Sequence, residues 1–192
     1  MAEGLRVIRC TSHHVEAIRA IYNHEIAHGT ALYEYEPRSA DVMAAWWATK
    51  MAGNLPVFGV EFEPGQLAGF ATWGPFRPFP AYLHSVEHSV YVDPLYRRRG
   101  VGTALLETVV REAVARRLHV LVGGIDAANT ASRELHRRLG FGHVGTIREA
   151  GFKFDRWLDL EFWQRILPND DRGHSPTTAT PAAVRSPCDS RA

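Results

Sequence analysis

The segment VYVDPLYRRRGVGTALL sets Gly100 and Gly102 between a valine-rich run and a helical stripe, immediately after Arg97, Arg98 and Arg99. A helix that opens on glycines leaves its first N–H groups unpaired, and the missing Cβ atoms let an anion approach them closely. Helix polarity and the three arginines add positive potential at the same point. The chemistry this suits is the holding of phosphate. No G-K-[ST] follows, as a nucleoside-triphosphate loop requires, and Leu105 stands where G-x-G-x-x-G needs its third glycine. The pyrophosphate of another carrier remains, although a bare G-x-G also serves as a plain strand-to-helix turn.

Other reactive side chains are less telling by spacing. His13 and His14 are adjacent, and His24 and His28 stand four residues apart, but no third ligand is suitably spaced, so no metal is expected. Cys10 and Cys188 lie at opposite ends of the chain, which gives no disulfide framework and fits a reducing cytoplasm. Asn129 precedes a helical stretch, where asparagine is a favoured N-cap.

The 22 Lys and Arg nearly balance the 21 Asp and Glu, so there is no bulk field to favour nucleic acid or an anionic membrane, and any anion site must be local. The start, MAEGLRVIRC, lacks the apolar run of a signal peptide. No stretch approaches the ~18 apolar residues of a membrane span. A soluble, cytoplasmic protein is expected.

The elements that would position these groups follow from periodicity. A short strand around Leu5 to Cys10, with Thr11 and Ser12 as N-caps, leads to a helix on Val15, Ile18, Ile21, Tyr22 and Ile26 that Gly29 stops. Ser39 and Asp41 open a second helix with Val42, Trp46 and Met51 on its apolar face. Val57–Phe62 and Gln66–Trp73 form a hairpin across Glu63, Pro64 and Gly65. GPFRPFPAY reads as a stiff irregular loop, and SVEHSVYV as a strand with Val86, His88, Val90 and Val92 on one face and Glu87, Ser89 and Tyr91 on the other. A helix from Gly102, a buried strand from His119 to Ile125, a helix from Asn129 to Leu139 and two extended segments complete the pattern. One domain closing near Leu167 is expected, with a disordered tail over 168–192 that is rich in Pro, Thr, Ser and Ala.

The run Arg97-Arg98-x-Gly100-x-Gly102 resembles the coenzyme signature of the GCN5-related N-acetyltransferases (GNAT). IYNHEI, SVEHSVYV, NTASRELHRRLGF and GFKFDRWLDLEFWQ are similar to the phosphinothricin and methionine sulfoximine acetyltransferase branch. The order of the elements over residues 5 to 167 follows the same family. The resemblance implies an α/β (α+β) GNAT fold: a mixed, mostly antiparallel sheet, splayed between its fourth and fifth strands and flanked by helices. It implies acetyl-CoA as co-substrate, with the pantetheine arm adding strand-like bonds to backbone at Val90, Tyr91 and Val92. By the same matching, Arg98, Arg99, Gly100, Val101, Gly102 and Thr103 cradle the pyrophosphate and Asn129 contacts the pantetheine arm.

The resemblance also puts Glu87 at the position of the base that takes the proton from an amine before it attacks the thioester. An unpaired N–H near Val90 would serve the oxyanion. The wider family often places a tyrosine acid after the asparagine. Here the residue is His136, a candidate acid for the departing thiolate, although a helical histidine is more often a partly buried packing or hydrogen-bonding residue. Tyr33, Arg77, Tyr82, His88 and Lys153 lie in segments similar to the substrate-contacting parts of the branch, with Arg77 or Lys153 suited to an acidic group of a small zwitterion.

The expected reaction is transfer of acetyl to the α-amine of phosphinothricin, methionine sulfoximine or methionine sulfone by direct attack in a ternary complex, with a homodimer implied by the resemblance. Acetylation of a peptide N-terminus and a non-catalytic acyl-CoA sensor are the alternatives.

Overall fold

The computed structural model describes residues 5–63 and 65–168. Seven strands and four helices follow one another as β1 (Arg6–Arg9), α1 (Val15–His28), α2 (Ala40–Ala52), β2 (Val57–Glu63), β3 (Gln66–Pro75), β4 (Ser85–Val92), α3 (Val101–Ala115), β5 (Val120–Asp126), α4 (Thr130–Arg138), β6 (Gly142–Lys153) and β7 (Arg156–Ile166). They form one sheet in the order β1-β2-β3-β4-β5-β7-β6. Only β4 and β5 are parallel, and every other neighbouring pair is antiparallel. Leu167, just after β7, is buried. The tail expected from 168 onward lies outside the described residues except for Pro168.

Each face of the sheet carries its own core. On one, Leu105, Leu106 and Val109 of α3 pack against Phe58, Trp73 and Val86. On the other, Ile18, Ile21 and Tyr22 of α1 and Met43 of α2 pack on Val57, Phe70 and Tyr91. The α1 stripe is the one its periodicity predicts, and Ser39 caps α2 by accepting the Val42 N–H at 3.2 Å.

The rotation of α2 differs from expectation. Val42 and Met51 are 51% and 46% exposed, whereas Met43 is fully buried with Trp46 and Trp47 beside it. ADVMAAWWATKMA is apolar around much of its circumference, so its pattern does not choose a face and the sheet does.

The decisive feature is where β4 and β5 part. β4 pairs with β3 all the way from Val86 to Val92, but with β5 only from Ser85 to Glu87, opposite Val120 to Val122. Phe76 donates its N–H to the Ser85 carbonyl and Asp93 donates its N–H to Ala68, at 3.1 and 3.0 Å. Odd-numbered residues of β4 therefore bond to β3. By alternation, the backbone groups of His88, Val90 and Val92 point into the gap left by β5.

Candidate active site

Glu87 is the last β4 residue still in register with β5, so its carboxylate stands at the crotch of the splay. It occupies the α1/α2 face with Ser89 and Tyr91, the alternation expected from the sequence. Its Oε1 lies 3.2 Å from where a Cβ on Gly124 would be, so glycine at that point of β5 leaves the carboxylate its place and a side chain there would crowd it. Burial raises the Glu87 pKa above the usual carboxylate value, and the Arg77 charge opposes the shift. A carboxylate whose proton affinity has been raised while it stays within reach of solvent has the properties of a general base.

Behind the sheet, on the α3 side, the Nε2 atoms of His88 and His136 are 2.9 Å apart. Both side chains are 4% exposed and pack on the Phe141 ring. Nδ1 of His136 is 2.7 Å from the Ser132 carbonyl, which can only accept, so Nδ1 carries the proton. Nε2 of neutral His136 is then the acceptor, and His88 donates to it. Burial lowers both pKa values, that of His88 to about 3 with the facing His136 as a further cause. The pair is neutral at physiological pH. A Cβ on Gly123 would come 3.0 Å from the His88 ring and 3.3 Å from His136 Nε2.

At the upper end of the gap, Arg98 and Gly100 take left-handed φ values of 61° and 83°, folding the chain into the start of α3. Ala104 is the first residue to bond within the helix, donating to Gly100 at 3.0 Å. The N–H groups of Val101, Gly102 and Thr103 thus form an open anion-facing turn. Val101 is buried and anchors it. Gly102 has a second use: a Cβ there would lie 3.2 Å from Leu135, so glycine lets α3 and α4 approach. Arg99 lies over the Phe62 and Tyr96 rings. Asn129 caps α4 by accepting the Ser132 N–H at 3.0 Å, which leaves its amide NH2 group outside the cap.

On the same face of the sheet as Glu87, at the Ser85–Val120 end of the β4–β5 pair, lies an open cavity of about 490 Å³ with Phe76, Tyr82, Ser85, Val122, Ile147 and Phe162 among its walls. Phe76 and Tyr82, at the two ends of the irregular 76–82 loop, form one side of it, with Tyr82 edge-on against Phe76. Arg77 is exposed and stacks on Phe76. Tyr33 lies against Gly151 of β6, with its hydroxyl buried.

Lys153 is 3% exposed and donates to the carbonyls of Gly29 and Leu32 at 2.7 and 2.8 Å. Its ammonium ties the loop bearing Tyr33 to β6. His24 and His28 stack on each other, and among the described residues no group of three or more metal-binding side chains occurs.

The structure thus sets Arg77 near enough to Glu87 to act on its charge, puts Tyr82 in the wall of a cavity on the same face of the sheet, and sets His88 and His136 on the opposite face. Gly123 and Gly124 were missed in the sequence. Their signal was a pair of glycines inside a strand, VGGID, which marks close approach of neighbouring groups.

Residues 17–141 match the model of the acetyltransferase (GNAT) family. The chain is 40% identical over 150 residues to the L-methionine sulfoximine/L-methionine sulfone acetyltransferase of Pseudomonas aeruginosa, covering 78% of this chain and 87% of that protein. It is 36% identical over 168 residues to the phosphinothricin N-acetyltransferase of Alcaligenes faecalis, covering 87% and 84%. Among solved structures, a GNAT superfamily phosphinothricin acetyltransferase from Sinorhizobium meliloti in complex with acetyl-CoA superposes with a TM-score of 0.86 at 31% identity, covering 93% of this chain and 96% of that one. The splayed β4–β5 pair, the glycine turn before α3 and these likenesses agree: the chain belongs to the GNAT family of acetyltransferases.

Proposed function

We propose that this acetyltransferase moves the acetyl group of acetyl-CoA to the α-amine of a small amino-acid analogue of the methionine sulfone, methionine sulfoximine or phosphinothricin type. The observation that carries the reading is the half-buried Glu87, its pKa raised, at the point where β4 leaves β5. The activities of the relatives and the acetyl-CoA of the similar structure support the substrates.

The turn from Arg98 to Thr103 suits the pyrophosphate, and the outward backbone of Val90 and Val92 suits the pantetheine arm, with the Asn129 amide free to meet it. In the ternary complex the ammonium gives one proton to Glu87 and the amine nitrogen bonds to the thioester carbon; as the tetrahedral intermediate collapses, the carbon–sulfur bond breaks and the second proton lost from nitrogen goes to the departing sulfur, which leaves as the thiol. The Val90 N–H steadies the oxyanion. Arg77 meets an acidic group of the acceptor, and the walls of the cavity, Tyr82 included, take its side chain. Tyr33 borders the acceptor, and Lys153 contributes by fixing the Tyr33 loop. His88 and His136 hold β4 from behind. The 76–82 loop, taken as a lid, favours a small acceptor over a peptide N-terminus.

A homodimer is part of the same proposal. Val144, Ile147, Phe152, Phe154 and Trp157 are 43–61% exposed on the β6–β7 hairpin, a surface suited to a second copy. Sedimentation at assay concentration should give a dimer, and a monomer would remove this element. A reducing, cytoplasmic setting suits the buried free thiol of Cys10.

The test is product identification. Purified protein with acetyl-CoA and a panel of amino acids, their sulfone and sulfoximine analogues, polyamines and short peptides should yield mainly the N-acetylated analogues. Coenzyme binding with no acetylated product would instead favour an acyl-CoA sensor.

A further inference from the structure

Asp126 ends β5 and is 4% exposed. Its Oδ1 accepts the Ala128 N–H at 2.7 Å, which accounts for half of the carboxylate. Oδ2 is buried with no hydrogen-bond partner among the described residues. A buried carboxylate oxygen in that position is costly unless a donor or cation comes to it. No cation among the described residues pairs with it: Arg133 binds the adjacent Ala127 carbonyl and turns its Nε, which makes no hydrogen bond of its own, toward Glu161 at 3.0 Å, while Lys153 is held by the Gly29 and Leu32 carbonyls.

The position of Asp126 names the donor. It stands two residues beyond Gly124, the residue that faces the Glu87 carboxylate, so it shares that face of β5 about 7 Å further into the splay. The Tyr33 hydroxyl is also buried without a partner, and it feels the charge of Asp126. Asp126 Oδ2 and the Tyr33 oxygen are thus two unmatched polar atoms close enough for one to act on the other, and Asp126 is on the face of β5 that Gly124 turns to Glu87.

We propose that Asp126 is a second carboxylate of the acceptor site, which holds the substrate's ammonium through Oδ2 and, with the Tyr33 oxygen, presents it to Glu87. The inference rests on the proposed acetyl transfer to an amine and deepens it. The three N–H bonds of a primary ammonium then have three acceptors. Glu87 takes one proton before the nitrogen attacks, and Asp126 and the Tyr33 oxygen keep hold of the two N–H bonds that remain until the second proton leaves with the sulfur. Burial, with the charges of Asp126 and Asp159, pushes the Tyr33 pKa up to about 12, so the phenol stays neutral and offers its oxygen lone pairs. Such a site selects primary amines that enter as cations and discriminates against alcohols and neutral amides of similar shape.

Asp126→Asn keeps the oxygen that accepts the Ala128 N–H but replaces the free one by a donor that opposes ammonium. With the primary amine that the wild type acetylates fastest, its KM for the amine should rise about 10- to 100-fold, the worth of one charge-assisted hydrogen bond. The KM for acetyl-CoA should stay within about twofold and kcat within about fivefold, since the turn into α4 is intact. Asp126→Ser, which keeps a short acceptor for the turn, should show the same split and serves if the asparagine variant folds poorly. Calorimetric titration with L-methionine sulfone in the presence of CoA reads the same loss without turnover.

An unchanged amine KM in either folded variant would overturn the proposal. So would a rise confined to acetyl-CoA, which would turn Asp126 toward the coenzyme. A wild type that acetylates only amines outside the amino-acid analogues would sink the substrate reading, yet the Asp126 comparison would still stand on those amines.

Discussion

Glu87 and Gly124 face each other across the start of the splay, with the carboxylate oxygen 3.2 Å from the position a Cβ on Gly124 would occupy. Strand pairing brings them together, and the missing side chain on β5 makes the space in which the base works. Gly124→Val should displace the carboxylate, because the added branches have nowhere to go between Glu87 and Leu160. A displacement approaching 1 Å costs on the order of 100-fold in rate, so kcat/KM for the amine should fall by about that factor while coenzyme affinity changes little. Steady-state kinetics with a coenzyme-binding titration checks both.

The pH profile follows from the charges around Glu87. Burial raises its pKa and Arg77 lowers it, with burial prevailing. The base works only when ionised, so kcat/KM should fall on the acid side at a pH above the usual carboxylate range. Arg77→Ala removes the lowering influence, and the acid limb should move to still higher pH. A limb that stays in place or moves down contradicts the electrostatic account.

The His88–His136 pair should make stability depend on pH. In the unfolded chain both rings take up protons near the ordinary value of 6.5, whereas in the folded protein His88 is held down to about 3 and His136 is also lowered. The unfolded state therefore binds more protons below pH 6.5, and stability falls as pH drops through that window toward the folded values, by at most about 1.4 kcal/mol per pH unit for each ring. Urea midpoints between pH 7 and pH 4.5 should show the decline, and His88→Phe should flatten it. His136→Phe should keep most of its turnover while losing about 1–3 kcal/mol of stability, because it leaves the His88 N–H unpaired.

Lys153→Met removes the bonds to Gly29 and Leu32 and leaves two carbonyls without their donor. The expected result is a higher KM for the amine with little change for acetyl-CoA, together with about 1–3 kcal/mol of lost stability. Lys153→Arg, whose wider head cannot sit between the same carbonyls in the same way, should rescue only in part.

How far the sequence reached depends on the kind of information each feature needed. α1, β4 and the turn before α3 were legible because periodicity, alternation and glycine placement are local properties. The splay was implied by family resemblance and could not have come from spacing, since SVEHSVYV and HVLVGGI alone do not say where pairing stops. The burial of Met43 in place of Val42 was hidden because α2 is apolar on several sides. Lys153 read as a cation for the substrate, and only the fold shows that two carbonyls from residues more than a hundred positions away occupy it. Asp126 escaped notice for the opposite reason: a lone Asp at a strand end is ordinary until its free oxygen is found buried.

The most direct measurement of the central claim compares the wild type with Glu87→Gln, following thiol release from acetyl-CoA with L-methionine sulfone across pH 5.5 to 9. The wild type should turn over with an acid limb set by Glu87, and the variant should lose about 10²- to 10⁴-fold in kcat together with that limb, while still binding acetyl-CoA. A variant that keeps full kcat and the same pH profile would contradict the assignment of Glu87 as the base at the splay.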